Sequence, residues 1–494
     1  DRLPGEAEAT LDPRVALAPS APRLRRTPPT GPRVAVVGAG LAGLTTTLRL
    51  RQAGVAATLY EADPRRLGGR CWTERATFAA GPVGERQIAE RGGELIDQSH
   101  TAIRQLAQEL GLPLDNVVAA EARGTEPRYR FDGRDYPLTQ ATRDLKPVWQ
   151  PLHRDYVEAG YPTLYSQSTA RGRALDAMSI AEWIDATVPG GRASALGQLL
   201  EIAYVIEYGA EADDQSALNL IYLMGAIGQG QLRLFGPSNE KYTVRGGNDL
   251  LVSRMAALLP GQIEGGVPLA GVRRDGARWT LAFDGRAGTT VDHLVLALPF
   301  SVLRTLDLSG ADFPARKREA IAALGMGANC KLALQFDTRR WVSAQRCNGE
   351  TLADTGHQHT WEVTRAQRGT RGILLNYTGG AVARQQSASG LSDDALARQF
   401  LQRVDPVLPG LAGGWTGTAQ FENWPANRWT RGSYAYWRVG QYQRFAGAER
   451  EAVGSCVFAG EHTSVDFQGY LNGAVESGER AAREVLAALG VRRG

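Results

Sequence analysis

Cysteine is scarce in this chain: four in 494 residues, at 71, 330, 347 and 456, and none forms a Cys-x-x-Cys pair. That excludes a disulfide scaffold and predicts reduced, buried thiols. Histidine is scarce too, at six, and His357 with His359 alone falls short of a metal site, so no metal is expected. Charge excess is absent: Lys+Arg 56 against Asp+Glu 52 leaves +4, without the clustered basic tract of a nucleic-acid binder. No run reaches the 18 or more apolar residues of a membrane span, and no internal repeat is visible. Hydrophobic residues at 43% and charged residues at 22% exclude a disordered or fibrous chain. Glycine alone is in excess, at 58, and without a period of three it points to turns and close backbone approaches. The length suggests about three domain equivalents.

Residues 1–32 are rich in Pro, Ala and Arg and lack apolar periodicity. They read as an extended arm or a mature leader. Arg23-Leu-Arg-Arg26 has no apolar segment after it, so it is no export signal as it stands. The compartment stays open: a soluble protein, cytoplasmic or exported after loss of a leader.

Residues 33–61 carry the first strong signal. Arg33-Val-Ala-Val-Val37 reads as a strand, Gly38-Ala-Gly40-Leu-Ala-Gly43 as a turn, Leu44–Leu50 as a helix, and Ala57-Thr-Leu-Tyr60 as a second strand closed by Glu61. In that context G-x-G-x-x-G is a dinucleotide fingerprint. Gly38 permits the tight turn, Gly40 admits a pyrophosphate, and Gly43 lets helix and sheet close up. The helix N-terminus offers free N–H groups to phosphate, and Glu61 suits a ribose hydroxyl. Leu67-Gly68-Gly69-Arg70 follows. A second glycine pair with an arginine, whose guanidinium fork fits phosphate oxygens, favours FAD over NAD.

Four separated regions then resemble the flavin-containing amine oxidase superfamily, which holds monoamine, polyamine and L-amino-acid oxidases. They are the fingerprint with Leu67-Gly-Gly-Arg70; Arg245-Gly-Gly-Asn-Asp249 with Val267 and Leu294–Pro299; Gly325 to Lys331 with Phe336 and Trp341; and Asn423-Trp424 through Arg431-Gly-Ser-Tyr434 to Phe458-Ala-Gly-Glu-His-Thr463 and Gln468-Gly-Tyr470. The resemblance implies an α/β (α+β), two-domain, Rossmann-like fold of the glutathione-reductase type with amine oxidase architecture. The FAD-binding domain would be discontinuous, 33–100 with 240–310 and 450–494. A mixed-sheet and helical substrate domain would fill 101–239 and 311–449, with a helical region about 175–230. From the residues themselves, Asp97 or Ser99 is expected to cap a helix Thr101–Leu110, 328–336 to form a strand, and Leu471–Leu489 to form the last helix.

The resemblance also implies the site. Gly69, Arg70, Gly93, Glu94, Val267, Gly460 and Glu461 join Gly38, Gly40, Gly43 and Glu61 at the cofactor. The last helix starts near the flavin pyrimidine edge, where its dipole stabilises an anionic ring. Lys331 holds a water against flavin N5. Trp424 packs beside the ring system, Tyr434 and Tyr470 form an aromatic cage for the amine, and Trp437 is a substrate contact. Ser433 stands where related enzymes carry the flavin-linking cysteine, so FAD is expected to be non-covalent. The chemistry implied is hydride transfer from the carbon beside nitrogen, then imine hydrolysis and reoxidation by dioxygen with release of hydrogen peroxide.

Two features pull the substrate in different directions. Tyr377, in Gly372-Ile-Leu-Leu-Asn-Tyr-Thr-Gly379, resembles a carboxylate-binding tyrosine, and with Arg91 it could clamp an L-α-amino acid, the favoured reading. The tyrosine pair is monoamine-oxidase-like, and Glu94, Asp97 and Glu207 could attract the second nitrogen of a diamine or polyamine. A non-catalytic flavoprotein scaffold would need a long helical hairpin or basic tract, and neither is present. A carbon–carbon desaturase would lack the lysine and the tyrosine pair. The expected partners are a small amine or amino acid and O2, with no nucleic acid; a homodimer is left open.

Overall fold

A computed structural model describes residues 31–78 and 86–491. All but the end of the 1–32 arm lies outside the described residues.

One sheet carries the fingerprint. Its five strands run in the spatial order Cys456–Phe458, His293–Leu296, Val34–Val37, Ala57–Tyr60, Ile263–Glu264, every pair parallel. The short apolar runs suit a parallel sheet buried on both faces. Side-chain alternation feeds two cores: Val34 and Val36 join one, Ala35 and Val37 the other. On the first face the helices Leu41–Gln52 and Leu471–Ala488 lie together. They approach so closely that a Cβ on Gly478 would stand 2.5 Å from the Ala42 carbonyl oxygen. The second face is covered by an antiparallel sheet, Leu269–Asp275, Arg278–Phe283 and Arg286–Val291.

The larger sheet has seven strands, in the order Trp415–Asn423, Asn329–Phe336, Gly372–Gly379, Gln358–Glu362, Cys347–Ala353, Glu126–Phe131, Arg134–Asp135. It is mixed: Cys347–Ala353 pairs parallel with Glu126–Phe131 and antiparallel with Gln358–Glu362. Asn329–Phe336, the strand of Lys331, is interior and buried along its whole length. Helices Ala170–Asp176, Ile180–Thr187, Ala195–Tyr208 and Ala217–Met224 occupy the region expected to be helical. Serines start three of them; Ser179 and Glu182 close a reciprocal capping box.

Helix Thr101–Glu109 forms as its periodicity predicts, but neither expected residue caps it. His100 takes the cap position, but its ring does not cap the helix: Nδ1 accepts from the Asp97 N–H at 3.0 Å. The Asp97 carboxylate is engaged elsewhere, accepting from Ser238 Oγ and from the N–H groups of Asn239 and Glu240. All four cysteines are free and buried. Among the described residues no helix is long and apolar enough to cross a membrane, and no cluster of His, Cys, Asp or Glu could hold a metal.

Candidate active site

One elongated cavity runs from the glycine loop of the parallel sheet to the face of the seven-stranded sheet. Its first end is made of backbone. Gly40 and Gly69 line it, and a Cβ on either would meet nothing nearer than 3.9 Å and 3.7 Å. They leave a cradle that side chains would fill. Gly38 has φ +100°, which an L side chain resists. Gly43 does not line the cavity; a Cβ there would collide with the Gly38 carbonyl oxygen at 1.9 Å, so this glycine serves the close packing of turn and helix.

Helix Leu41–Gln52 begins at that cradle with no side-chain cap and no acid in its first turn. Helix Leu471–Ala488 begins at the same cavity in the same state. Two free, positive helix ends in one cavity fit a pyrophosphate and an electron-rich ring. Glu61 lines the wall and accepts from the N–H groups of Ala39 (2.8 Å) and Asp63 (2.9 Å), so it also braces the loop. Burial pushes its carboxyl up, against the pull of those bonds. Glu461 accepts from Arg70 (2.6 Å), the Ala435 N–H (3.2 Å) and the Gly469 N–H (2.7 Å), joining three segments at mid-cavity. Arg70 also donates to the Ser433 carbonyl at 2.8 Å. These donors and glycines fit FAD. Val267 is not in the lining: its N–H is given to the Glu61 carbonyl, at 2.8 Å.

At mid-cavity, Lys331 Nζ donates to the Gly92 carbonyl (3.0 Å) and to Glu94 Oε2 (2.9 Å), and Trp361 Nε1 donates to Glu94 Oε1 (3.0 Å). Lysine and glutamate are 6% and 7% exposed, a buried pair tying the long strand to the Gly92-Gly93-Glu94 loop. Gly93 lines the cavity, and a Cβ there would strike Leu471 at 2.6 Å. Trp424 lines it too, donating to the Arg91 carbonyl at 2.9 Å.

The far end is made of side chains. Tyr434 and Tyr470 both line it. Tyr434 hydroxyl donates to the Glu207 carbonyl and lies 2.8 Å from the Tyr377 hydroxyl; Tyr470 hydroxyl reaches Glu207 Oε1 at 3.4 Å. Burial pushes all three phenols above their ordinary value, so they stay neutral. Glu240, Glu350, His359 and Arg365 complete this end. Glu207 and Glu350 are half-buried, and Glu240 is the more open to solvent. Burial first, then neighbouring carboxylates, pushes Glu207 up to about 7 and Glu240 to about 8; burial pushes Glu350 to about 7 despite Arg365. Burial likewise holds His359 down at about 3, neutral.

Two expected substrate contacts lie elsewhere. The Arg91 guanidinium is consumed by Glu74 and by Glu422 (3.1 Å) and stacks over Trp72, outside the cavity. The arginine–tyrosine clamp is therefore not formed, and Tyr377 reaches the cavity alone. Trp437 packs in the core against Tyr442 and Phe445 and does not reach the cavity. The sequence reading missed Glu240, Glu350, His359 and Arg365. No local motif marks them; only strand alternation over 347–362 could have put Glu350 and His359 on a common face.

Comparison with known proteins fits this geometry. Residues 41–486 match the family described as flavin containing amine oxidoreductase. The chain is 24% identical over 471 residues to amine oxidase [flavin-containing] A of Sus scrofa, covering 92% of this chain and 85% of that one. It is 23% identical over 478 residues to amine oxidase [flavin-containing] B of Canis lupus familiaris, covering 92% and 86%. Its fold superposes on cyclohexylamine oxidase from Brevibacterium oxydans IH-35A with a TM-score of 0.80, at 21% identity, over 93% and 99% of the two chains. Wild-type putrescine oxidase bound to putrescine gives 0.77, at 22% identity, over 92% and 99%. A match along almost the whole chain, over a glycine cradle and cavity that suit FAD, makes this protein a member of the flavin containing amine oxidoreductase family.

Proposed function

We propose that this flavin-dependent amine oxidase acts on an amine bearing a second basic nitrogen, a diamine or polyamine, in preference to an α-amino acid. The observation that carries the reading is the set of carboxyls Glu207, Glu240 and Glu350 facing one cavity with Tyr434 and Tyr470. Carboxyls raised by burial are stabilised as anions by an arriving cation. A substrate carboxylate would meet three acids there, and the arginine expected to receive it is already paired. Arg365 offers no replacement, since it lies 3.5 Å from Glu121 and beside Glu350.

FAD, when bound, supplies the hydride acceptor and hands the electrons to dioxygen. The chain's own residues do the rest. Tyr434 and Tyr470 flank the reacting nitrogen with π-faces and keep water away. Glu207, hydrogen-bonded to Tyr470, takes the ammonium proton at Oε1, leaving the neutral amine that the oxidation requires. Glu240 and Glu350 hold the second nitrogen. Lys331, paired with Glu94, lines the wall at mid-cavity.

A peroxide assay with 1,4-diaminobutane, butylamine and the amino acid norvaline tests the reading. The diamine is expected to exceed the monoamine in kcat/KM by about tenfold or more, the worth of one charged hydrogen bond, and norvaline to be slowest. Norvaline turned over fastest would overturn it and restore the amino-acid assignment.

A further inference from the structure

Arg431 opens the Arg-Gly-Ser-Tyr434 segment, yet nothing in the amine site uses it. It lines a second cavity, of about 600 Å³, behind the wall that carries Ser433 and Tyr434. Three more arginines line that cavity, Arg304, Arg438 and Arg444, with two acids, Asp213 and Asp214.

The acids do not balance the arginines. Asp214 accepts from the Tyr436 hydroxyl at 2.5 Å and lies 3.4 Å from Arg438. Asp213 lies 3.5 Å from Arg192, and Arg444 pairs with Glu319 at 2.5 Å; both of those partners lie outside the lining. Among the described residues Arg304 has only neutral acceptors, the carbonyls of Phe300 (3.0 Å) and Leu324 (2.7 Å). Among the described residues the Arg431 guanidinium has no partner. Burial, and then the like charge of Arg438, pushes Arg304 below its ordinary value. Two guanidiniums thus share a concave surface without a counter-anion, which focuses a positive potential there.

The backbone holds Arg431 in place. Its φ is +52°, a region that favours glycine. It is kept there by its N–H bond to the Asn427 carbonyl (2.7 Å) and by that of Gly432 to the Trp424 carbonyl (3.1 Å). A Cβ on Gly432 would stand 2.3 Å from Met326, which lines the second cavity. Ser301, in the same lining, donates to the Thr430 carbonyl at 2.6 Å, and Thr430 lines the amine cavity. Residues 430–434 are a common wall.

We infer that the second cavity is a binding site for a phosphate group, received by the guanidinium forks of Arg431 and Arg304. A fork matches phosphate oxygens two at a time, and a dianion answers two uncompensated cations. Free phosphate and a phosphate ester share this chemistry.

Calorimetric titration of the holoenzyme with inorganic phosphate, pyrophosphate and glycerol 3-phosphate, at an ionic strength held constant with chloride, tests the site. Saturable binding of one equivalent is expected, weakened about tenfold or more in Arg431→Gln and less in Arg431→Lys, which keeps the charge without the fork. Tighter binding of the ester than of inorganic phosphate assigns a phosphate ester; the reverse assigns free phosphate. Arg431→Gln should keep its FAD and its thermal midpoint, because the side chain bonds nothing. If it does not fold, Arg304→Gln takes its place, with the same weakening expected. No saturable heat from any probe, or equal affinity in the parent and the folded variant, overturns the site.

Discussion

The two ends of the main cavity are built of different material. The nucleotide end is backbone: glycines with no side chain to place and helix termini with free N–H groups. It comes from residues close together in sequence, 38–70, with the 460 segment added. The amine end is side chain: Glu207 from a helix, Glu240 from a loop position with φ +46°, Glu350, His359 and Tyr377 from three strands, Tyr434 and Tyr470 from two later segments. Backbone donors survive a point substitution; a carboxyl or a phenol does not. Substitutions at the amine end should therefore change which substrate reacts, and those at the nucleotide end should be graded effects on cofactor retention.

The largest effect is expected where the two ends are tied. Lys331→Met removes one partner of a buried ion pair and strands Glu94 beside Trp361. Breaking such a pair from one side costs about 3–5 kcal/mol. Urea unfolding of the holoenzyme should show that loss, and the double variant Lys331→Met/Glu94→Gln should regain part of it. A single variant as stable as the parent would mean that the two ends are not joined through this pair.

Next comes Glu240→Gln, which should raise the diamine KM by about tenfold to a hundredfold, as expected for a lost charged hydrogen bond of about 1.5–3 kcal/mol, and leave butylamine little changed. The pH dependence has a definite sign. Glu207, Glu240 and Glu350 have folded values of about 7, 8 and 7, above the ordinary 4.5. Their contribution to the stability of the substrate-free protein is thus whole below about 4.5 and is lost as pH rises through 7 to 8. A bound dication opposes that loss. The rise in Tm on adding diamine should therefore be larger at pH 9 than at pH 6, and the difference should shrink in Glu240→Gln. An equal rise at both pH values in the parent would argue that these carboxyls do not meet the substrate.

The same contrast explains what the sequence disclosed. The fingerprint, the strand of Lys331 and the helices at 101 and 471 are local patterns, and each forms. The amine end gathers distant residues that no spacing joins. Arg91 misled because its sequence neighbours are cofactor residues, while in space Glu74 and Glu422 claim its guanidinium. Trp437 misled because it follows the tyrosines, while its ring packs in the core against Tyr442 and Phe445. Glu207 was named only for its charge; its bond to Tyr470 is a tertiary fact.

At the nucleotide end, Glu61→Ala should weaken FAD binding without abolishing it. The carboxylate braces the loop through two backbone N–H groups and is proposed to meet the ribose. Loss of a bond to a charged acceptor costs about 1.5–3 kcal/mol, and the glycine cradle and both helix ends are untouched. Flavin retained after gel filtration should fall in part. Complete loss would show that the side chain, and not the backbone, governs this end. The flavin that is bound should leave with acid, since Ser433 offers an alcohol to Asn329 and no thiol to the ring.

The smallest effect on substrate choice should come from Arg91→Leu, and it separates the two accounts of this arginine. As a clamp, its loss would penalise norvaline far more than butylamine. As the structural bridge seen here, its loss should penalise both alike, leaving the ratio of their kcat/KM values within about twofold, a difference of about 0.4 kcal/mol. The cost should appear as stability instead. Burial alone would raise the Glu74 carboxyl, but the Arg91 guanidinium holds it below its ordinary value. A depressed carboxyl stabilises the fold above its unfolded value of about 4.5, and that contribution is lost as pH falls through the lower, folded value. Arg91→Leu should therefore lower the thermal midpoint at pH 7 and flatten its decline toward pH 3. Norvaline crippled while butylamine is spared, with the acid profile unaltered, would return Arg91 to the substrate and undo the division between a cofactor end made of backbone and an amine end made of acids.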